Sequence, residues 1–351
     1  MKILVGMSGG VDSAVVAALL KRDGHEVFGY TLKLLETTKG DESEGCCTFK
    51  DIRDAQMVCD AIGIEYLVTN WKKVFKTNVI DQYVAGAKEG VAYNPCVTCN
   101  STVKLPVLFA VANHLHCEMV ATGHYARIKN GRIARAANLA KDQSYFLWEA
   151  DPKILERFVF PLGDIPSKDD TRKLAEEFGL TSVSKKKDSH DLCFFEGGTK
   201  AEFLEKHIPP ATGKFVDNST GKVVGTHEGF SNFVPGQRAK IAGSSSPRFV
   251  LKVLPSSNEV LVGSKEDAGV TEVIINRSRI VSGAADIPLW GVMRYRGVPA
   301  PIKAIRPLPG DPDNSRMVVE FQETVYGVSP GQSLVLYGED DTVFGGGVIE
   351  K

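Results

Sequence analysis

Short apolar runs alternate with helical patterns along the first half of the chain. The run Ile3-Leu4-Val5 has the length of a buried strand, and the segment from Ala14 to Arg22 has the composition of a helix that Gly24 would end. Further strand-like runs lie at residues 27–32, 65–69 and 119–122. Because helical segments separate these strands, the pattern predicts a parallel sheet with helices packed on its faces.

Beyond about Gly213 the pattern becomes β-rich. Two pairs of strand-like segments flank polar turns, which predicts two β-hairpins. These segments are residues 214–217, 222–225, 248–254 and 259–262. After Thr271 the apolar runs are short and bounded by Pro, Gly or Asn, which predicts a small barrel. The predicted fold class is therefore α/β, with a parallel-sheet nucleotide-binding domain (1–200), a small β-rich central domain (201–270) and a C-terminal β-barrel (271–351).

The composition is typical of a globular protein in water. Hydrophobic residues make up 43% and charged residues 24% of the 351 residues, and no apolar run approaches the ~20 residues of a membrane helix. The chain starts with a short strand that leads into a glycine-rich turn, without the apolar stretch of a signal peptide. Seven cysteines, an odd number, favour reduced thiols over a disulfide framework. We therefore expect a cytoplasmic protein without a membrane partner.

Charge is unevenly distributed over the predicted barrel. Residues 271–310 hold six Lys and Arg against two acids, a net of +4, whereas residues 311–351 hold eight acids against two bases, a net of −6. The whole chain has a net charge of −1, which excludes a generally basic nucleic-acid coat. The basic segment is either a local RNA-binding face or a solvated surface.

The turn between the first strand and the first helix is rich in glycine and hydroxyl side chains. It reads Gly6-Met7-Ser8-Gly9-Gly10-Val11-Asp12-Ser13. A helix N-terminus with adjacent glycines presents backbone N–H groups to phosphate oxygens, and the hydroxyls add donors. No Gly-Lys-Ser/Thr follows, so this is not the loop that grips a γ-phosphate with lysine. The turn resembles the pyrophosphate loop of enzymes that split ATP into AMP and pyrophosphate.

Other candidate ligand contacts are expected beside this turn. Gly123 and His124 follow the strand-like run at residues 119–122, and ligands in open α/β sheets collect at the carboxyl ends of strands. Asp12 supplies a carboxylate that could hold Mg²⁺ against the phosphates of ATP.

Two cysteines lie at C-x-x-C spacing in Asn94-Pro95-Cys96-Val97-Thr98-Cys99, which predicts a proline-opened turn just before a helix. A helix N-terminus lowers a thiol pKa and favours the thiolate. Structural zinc would need four ligands, a redox pair would need a thioredoxin-like domain, and an iron–sulfur site would need a further cysteine such as Cys193. Cys59 and Cys117 fall on apolar positions of the predicted core, and the adjacent pair Cys46-Cys47 fits none of these sites.

These motifs, in this order, resemble those of the tRNA-specific 2-thiouridylases, and the resemblance runs nearly from end to end. It rests on the segments Ser8–Ser13, Gly45–Cys47, Asn94–Pro95, Cys99–Asn100, Ala121–Arg127, Lys141–Leu147, Asp188–Phe194, Gly236–Arg238, Arg294–Arg296, Pro330–Gln332 and Gly345–Gly347. Each segment is a weak signal alone, but the ordered set is specific. The resemblance implies ATP-dependent transfer of sulfur to C2 of the wobble uridine in tRNA.

This chemistry explains the residue types. The C2 oxygen of uridine is a poor leaving group until AMP is attached to it, and sulfur must then arrive as a persulfide or a similar nucleophile. The resemblance implies that Cys193 carries the persulfide, that Cys99 is the nucleophile that frees the product, and that the two pair as a transient disulfide. It implies ATP contacts from Gly6, Met7, Ser8, Gly9, Gly10, Val11, Asp12, Ser13, Leu32 and Gly123.

The resemblance also implies a nucleic-acid partner and a sulfur donor. Residues implied to line the flipped base are Asn94, Pro95 and Cys96, and residues implied to touch the tRNA are His124, Lys141, Asp142, Gln143, Arg294, Tyr295 and Gln332. The expected partners are the anticodon arms of the tRNAs for Lys, Glu and Gln, and a cysteine desulfurase or sulfur-relay protein. The expected cofactors are ATP and Mg²⁺, and the expected state is a monomer.

One departure from the family pattern opens a second mechanism. Most members have Asp where this chain has Cys96, and a thiol has a higher reference pKa than a carboxyl group. With Cys99 and Cys193 this makes three thiols, the number on which related tRNA thiolases hold a [4Fe-4S] cluster. A persulfide relay is favoured, with the cluster as the alternative. A non-catalytic RNA-binding module is the alternative from another class, but such a relic would not keep Asp12, Ser13, Cys99 and Cys193 together.

Overall fold

A computed structural model describes the chain at residues 1–36, 49–186, 192–195, 198–244, 246–312 and 315–350. The described residues fall into two compact units. The first unit consists of Met1–Ile80, Pro95–Gly197 and Asp340–Val343. The second unit consists of Asp81–Asn94, Gly198–Glu339 and Phe344–Lys351. The predicted domain boundaries near residues 200 and 270 stay a prediction.

The first unit is built on a five-stranded parallel sheet, as the sequence predicts. In chain order the strands of this unit are β1 (Lys2–Gly6), β2 (Glu26–Lys33), β3 (Glu65–Asn70), β4 (Met119–Thr122), β5 (Ala126–Lys129), β6 (Arg132–Arg135) and β7 (Phe158–Val159). The sheet order is β3-β2-β1-β4-β7 with every pair parallel, and β5 and β6 form a separate antiparallel hairpin. The winding direction reverses between β1 and β4, so a ligand is expected beyond the carboxyl ends of these two strands.

Helices pack against this sheet. In chain order the α-helices of the described residues are α1 (Val11–Arg22), α2 (Phe49–Ile62), α3 (Lys72–Phe75), α4 (Asp81–Lys88), α5 (Pro95–Cys99), α6 (Leu105–His114), α7 (Pro152–Leu155), α8 (Lys168–Glu177), α9 (Thr181–Ser184) and α10 (Lys200–Glu205), of which α4 and α10 belong to the second unit. Helix α1 is almost entirely buried, because alanines among its valines let it lie close to the sheet. Gly24 and Gly63 adopt positive φ angles of +82° and +67° just beyond α1 and α2, where only glycine is unstrained.

Helices α5 and α6 are joined by a π-helical turn at Asn100–Lys104, which makes one helical segment from Pro95 to His114. By length and composition alone this segment is long and apolar enough to cross a membrane, which the sequence did not lead us to expect. Half of its most apolar window is buried inside the fold, and core helices pass the same test of length and composition. It is therefore weak evidence for a membrane span.

The second unit contains an open sheet and a closed barrel, which confirms the predicted β-rich architecture. Its strands are β8 (Gly213–Asp217), β9 (Val223–His227), β10 (Arg238–Ala239), β11 (Arg248–Leu254), β12 (Glu259–Gly263), β13 (Val270–Ile280), β14 (Trp290–Val292), β15 (Ala300–Pro307), β16 (Met317–Val325), β17 (Ser333–Tyr337) and β18 (Val343–Ile349). The open sheet has the order β10-β11-β12-β8-β9, and both predicted hairpins, β8–β9 and β11–β12, are antiparallel. The barrel closes in the order β13-β16-β15-β14-β17-β18 around a core that includes Ile275, Val319 and Leu334.

Candidate phosphate loop and thiol site

The glycine-rich loop connects the end of β1 to the start of α1. Gly9 has a φ of +71°, and a Cβ atom there would lie 2.2 Å from the carbonyl oxygen of Asp51. Gly10 is the N-cap residue of α1 and offers no side-chain hydrogen bond to the first turn. A ligand with phosphate oxygens is the natural partner for the N–H groups of such a turn.

The two hydroxyl groups of the loop have different positions. Ser13 is buried; its Oγ accepts a hydrogen bond from the backbone N–H of Ser8 at 3.1 Å and donates to the carbonyl oxygen of Gly10 at 3.2 Å. Ser8 is exposed, with its Oγ 3.2 Å from that of Ser13. Ser13 therefore holds the shape of the loop, whereas Ser8 faces outward.

Asp12, in the first turn of α1, is held by two donors from distant parts of the first unit. Its Oδ1 accepts hydrogen bonds from the Tyr125 hydroxyl at 2.9 Å and from Lys168 Nζ at 2.6 Å. The Tyr125 hydroxyl also lies 2.8 Å from Thr171 Oγ1. Both contacts of Asp12 use Oδ1, so the side chain still fits a Mg²⁺ ion bound chiefly by phosphate oxygens. Sequence reasoning missed Tyr125, Lys168 and Thr171.

A second lysine ties the other side of the loop to α2. Lys186 Nζ donates to the carbonyl oxygen of Gly9 at 2.9 Å, to Asp51 Oδ1 at 2.6 Å and to Asp54 Oδ2 at 2.7 Å. Burial alone would lower the pKa of Lys186, but the two carboxylates outweigh it and raise the pKa. All three ammonium protons are thereby used to fix the loop.

The carboxyl ends of β2 and β4 border the loop, as their topology predicts. A Cβ atom on Gly123 would lie 2.9 Å from the backbone nitrogen of Ser13 and 3.0 Å from Asp12 Cβ. On the β2 side, Thr31 Oγ1 donates to the carbonyl oxygen of Met7 at 2.7 Å, and the next residue, Leu32, is buried. Leu32 lies near the end of β2 and Gly123 directly follows β4, so both residues expected to contact ATP lie at the carboxyl ends of these strands.

His124 is almost completely buried, with its Nδ1 2.7 Å from Thr122 Oγ1. Burial, together with the charge of Lys104, lowers the pKa of His124 to about 3. The imidazole is therefore neutral at physiological pH. A contact between His124 and tRNA would have to be made by this neutral ring.

Cys96 and Cys99 lie within helix α5, so the predicted turn before a helix is wrong at this point. Pro95 stands at the first helical position, where a missing N–H is harmless, and the helix therefore begins at the proline. Cys96 is half-buried, Cys99 is buried, and a π-helical turn follows directly. Such turns are frequent at functional sites.

The third candidate thiol, Cys193, is half-buried in a 3₁₀ turn, Cys193–Phe195, whose Phe194 ring packs edge-on against Phe75 at 6.2 Å. In the part of the chain that the structure describes, no group of three or more Cys, His, Asp or Glu side chains could hold a metal ion. Cys96, Cys99 and Cys193 are thus not grouped as three ligands of one metal ion in this structure. Cys46 and Cys47 lie outside the described residues.

The remaining described cysteines belong to the core. Cys59 and Cys117 are buried, and burial raises the pKa of both thiols, that of Cys59 to about 12. A thiol with a raised pKa is a weak nucleophile at neutral pH.

A polar side chain beside Cys99 was given no role in the sequence analysis. Asn100 is 3% exposed, its Nδ2 donates to the carbonyl oxygen of Phe146 at 3.2 Å, and its buried Oδ1 has no hydrogen-bond partner among the described residues. One position on, Ser101 Oγ donates to the buried carboxylate of Glu149 at 2.9 Å. Polar groups of this kind are expected next to a site that receives a polar ligand.

Two of the three residues in the segment 141–143 fix a loop of the first unit. The Asp142 carboxylate accepts hydrogen bonds from the backbone N–H of Ala136 at 2.9 Å and from Ser144 Oγ at 2.7 Å, and burial raises its pKa. Gln143 Oε1 accepts from the backbone N–H of Tyr125 at 3.0 Å. Lys141 is half-buried.

The other residues expected to contact RNA belong to the second unit. In the loop between β14 and β15, Arg294 is exposed, and the Arg296 guanidinium lies 5.1 Å from the centre of the half-buried Tyr295 ring. Arg296 adopts a φ of +58°, which is uncommon for a residue other than glycine. Gln332 Nε2 donates to the carbonyl oxygen of Ala92 at 2.5 Å, two residues before the half-buried Asn94.

Family comparison matches three successive parts of the chain. Residues 1–197 match the tRNA methyl transferase HUP domain, residues 201–264 the tRNA methyl transferase PRC-barrel domain, and residues 292–349 the aminomethyltransferase beta-barrel domain.

Full-length relatives share more than a third of the sequence. The chain is 39% identical to the tRNA-specific 2-thiouridylase MnmA of Synechocystis sp., over 99% of this chain and 96% of the relative. It is 38% identical to the tRNA-specific 2-thiouridylase MnmA of Acidothermus cellulolyticus, over 100% of this chain and 98% of the relative. Among solved structures, a 4-thiouridine synthetase–RNA complex with bound ATP aligns with a TM-score of 0.36 at 16% identity, over 58% of this chain and 49% of that chain.

Proposed function

Because the chain belongs to the family of the tRNA-specific 2-thiouridylases, we propose that it transfers sulfur to C2 of the wobble uridine in tRNA, with ATP as the activating cosubstrate. The observation that carries this proposal is the loop at the start of α1. Its N-cap residue, Gly10, has no side-chain cap. Gly9 has a positive φ and lies against α2, and Gly123 lies close to the backbone nitrogen of Ser13. These features suit a phosphate chain bound at a helix N-terminus.

The first step is adenylation of the base. The C2 oxygen of uridine attacks the α-phosphorus of ATP, a bond forms between them, and the bond from the α-phosphorus to the bridging oxygen breaks as pyrophosphate leaves. The turn from Gly6 to Ser13, with Leu32 and Gly123, would bind the ATP. Mg²⁺, bound by the phosphates and Asp12, would supply charge neutralisation.

The second step transfers sulfur through the two cysteines. The terminal sulfur of a persulfide on Cys193 attacks C2, and AMP leaves with the C2 oxygen. Cys193 is then joined to the base through the two sulfur atoms. The Cys99 thiolate then attacks the Cys193 sulfur, forms a Cys99–Cys193 disulfide and releases 2-thiouridine. A dithiol reductant restores both thiols, and a sulfur donor such as a cysteine desulfurase or a sulfur-relay protein reloads Cys193.

The proposed tRNA-binding residues are those that the family resemblance implies. Asn94, Pro95 and Cys96 would line the flipped base, because a base must leave its stack to reach reactive groups. Contacts to the anticodon arm would come from His124, Lys141, Asp142, Gln143, Arg294, Tyr295 and Gln332. The proposed substrates are the tRNAs for Lys, Glu and Gln, and the proposed state is a cytoplasmic monomer.

The function is tested by tRNA-dependent formation of AMP and of 2-thiouridine, measured together. Purified protein, ATP, Mg²⁺, tRNA and a persulfide source should give both products, and AMP should require tRNA. Cys99→Ala and Cys193→Ala should give no 2-thiouridine while binding ATP normally. Absence of tRNA-dependent AMP would favour a non-catalytic RNA-binding module.

Cys96 separates the two sulfur mechanisms. In the relay it only lines the pocket, so Cys96→Ser should retain part of the activity and Cys96→Asp, the commoner residue, should be active. In the cluster mechanism its thiolate is an iron ligand, and serine replaces it poorly. Iron and acid-labile sulfide in anaerobically purified wild type, lost together with activity in Cys96→Ser, would establish the cluster instead.

A further inference from the structure

The glycine-rich loop contains no positive charge of its own. Its ionisable side chain is Asp12, whose carboxylate would repel the phosphates of ATP if nothing compensated it. Other nucleotide loops place a lysine directly after the glycines, where it reaches the phosphates. A lysine from elsewhere in the fold would supply the positive charge that the loop itself lacks.

The fold brings Lys168 to this place from a different helix. Lys168 is the first residue of α8, 156 positions along the chain from Asp12, and its Nζ lies 2.6 Å from Asp12 Oδ1. Its side chain is 12% exposed, so its charge is held in a partly desolvated position where it acts more strongly than in water. The Tyr125 hydroxyl binds the same carboxylate oxygen, and the Tyr125 ring centre lies 5.7 Å from the ammonium.

The neighbouring Lys186 does not serve this purpose. Its three protons are used by the Gly9 carbonyl oxygen and the carboxylates of Asp51 and Asp54. It has two carboxylates for one positive charge, so it offers no excess positive charge to a phosphate. The ammonium of Lys168, in contrast, lies beside Asp12 in the first turn of α1, where the backbone N–H groups attract an anion.

We propose that Lys168 binds the phosphate chain of ATP and that Asp12 and Tyr125 position its ammonium for this contact. Lys168 on helix α8 thus takes the place of the lysine that other nucleotide loops contain and this loop lacks. On adenylation, negative charge builds up on the departing pyrophosphate, and a fixed cation beside it stabilises the transition state. This inference rests on the proposed function, since it assigns a residue to its ATP-binding step.

The test is the affinity for ATP of the full-length protein, measured calorimetrically without tRNA and in EDTA, so that no metal enters. Lys168→Met should weaken ATP binding by about 10- to 100-fold, the range of a charge-assisted hydrogen bond, and Lys168→Arg by less. The matched control is Lys173→Met on the same helix, because Lys173 is exposed and pairs only loosely with Asp170 at 3.5 Å. It should bind ATP like the wild type.

A double variant separates phosphate binding from mere neutralisation of Asp12. If Lys168 only neutralises Asp12, Asp12→Asn should restore ATP affinity to Lys168→Met; if it binds phosphate, the double variant should stay weak. Adenosine has no phosphate, so it should bind the wild type and Lys168→Met with the same affinity. Restored affinity in the double variant, or an equal loss for adenosine, would overturn the assignment. Failure of the wild type to bind ATP both in EDTA and in Mg²⁺ would overturn the proposed function as well.

Discussion

In the first unit, Lys168 and Lys186 reach the glycine-rich loop from positions 156 and 177 residues away from their partners Asp12 and Gly9. In the barrel of the second unit, Lys303 pairs with Glu320 on the adjacent strand at 2.6 Å, and its side chain is 63% exposed. The lysines at the loop are 12% and 25% exposed. At the loop, partly desolvated ammonium groups hold carboxylates from distant parts of the chain in place, whereas exposed pairs along a barrel contribute little to stability.

The largest expected effect concerns Asp12, because it is the proposed anchor for both Lys168 and Mg²⁺. Asp12→Ala should lower the rate of tRNA-dependent AMP formation by at least about 100-fold while tRNA binding stays largely intact. Radiolabelled ATP and a filter-binding assay measure the two quantities on the same preparation. AMP formation at a rate near that of the wild type would show that the loop is not the ATP site.

Lys186 tests the stability side of the comparison. Lys186→Met removes the ammonium that pairs with both Asp51 and Asp54, so the free energy of unfolding should fall by about 2–3 kcal/mol. Urea unfolding monitored by tryptophan fluorescence measures it. The matched control, Lys303→Met in the barrel, should not shift the unfolding midpoint measurably, because its ion pair is exposed. Equal losses in the two variants would remove the distinction between the loop and the barrel.

The sequence predicts the backbone of the first unit better than it predicts the charged side chains around the glycine-rich loop. The turn from Gly6 to Ser13, the parallel sheet and the barrel follow from local periodicity and from glycine positions, which every fold of this kind must satisfy. Lys168 and Lys186 could not be found in this way, since a lysine in the first turn of a helix, or after one, is in most proteins a solvated side chain. Their role depends on contacts across more than 130 residues of sequence.

The cysteine pair was misplaced for a local reason. Proline is compatible both with an open turn and with the first position of a helix, and the sequence pattern does not distinguish the two. The structure has the helix start at Pro95, so Cys96 lies in its first turn. The site residues implied by the family resemblance stay predictions, and the variants described above test them.

The next effect in size is the pH dependence of the free energy of unfolding, to which the buried imidazole of His124 contributes. The pKa of His124 is about 3 in the folded protein and about 6.5 in an unfolded chain. Between these values the unfolded state binds more protons, so stability is complete above about pH 6.5 and falls as the pH is lowered toward 3, by up to about 1.4 kcal/mol per pH unit. Urea unfolding of His124→Asn from pH 7.5 to 5 should show a shallower decline than that of the wild type.

The matched control for this pH dependence is His114→Gln, which replaces an exposed imidazole at the end of α6. It should keep the slope of the wild type, because it removes an exposed imidazole and leaves the buried His124 in place. Identical slopes in all three proteins would mean that His124 is not held neutral by the fold.

The smallest expected effect concerns Arg294 in the barrel. Arg294 is exposed and has no ion-pair partner among the described residues, whereas Arg306 of the same barrel pairs with Glu272 at 2.7 Å. If Arg294 binds a phosphate of the tRNA, Arg294→Ala should weaken tRNA binding by about 2- to 10-fold and reduce the slope of log affinity against log salt by about 1. Arg306→Ala should change neither quantity, and ATP affinity should be unaffected in both. An unchanged salt slope in Arg294→Ala would show that Arg294 is a solvated surface residue. Arg294 and Arg306 would then contribute equally little to tRNA binding, although only Arg306 has an ion-pair partner among the described residues.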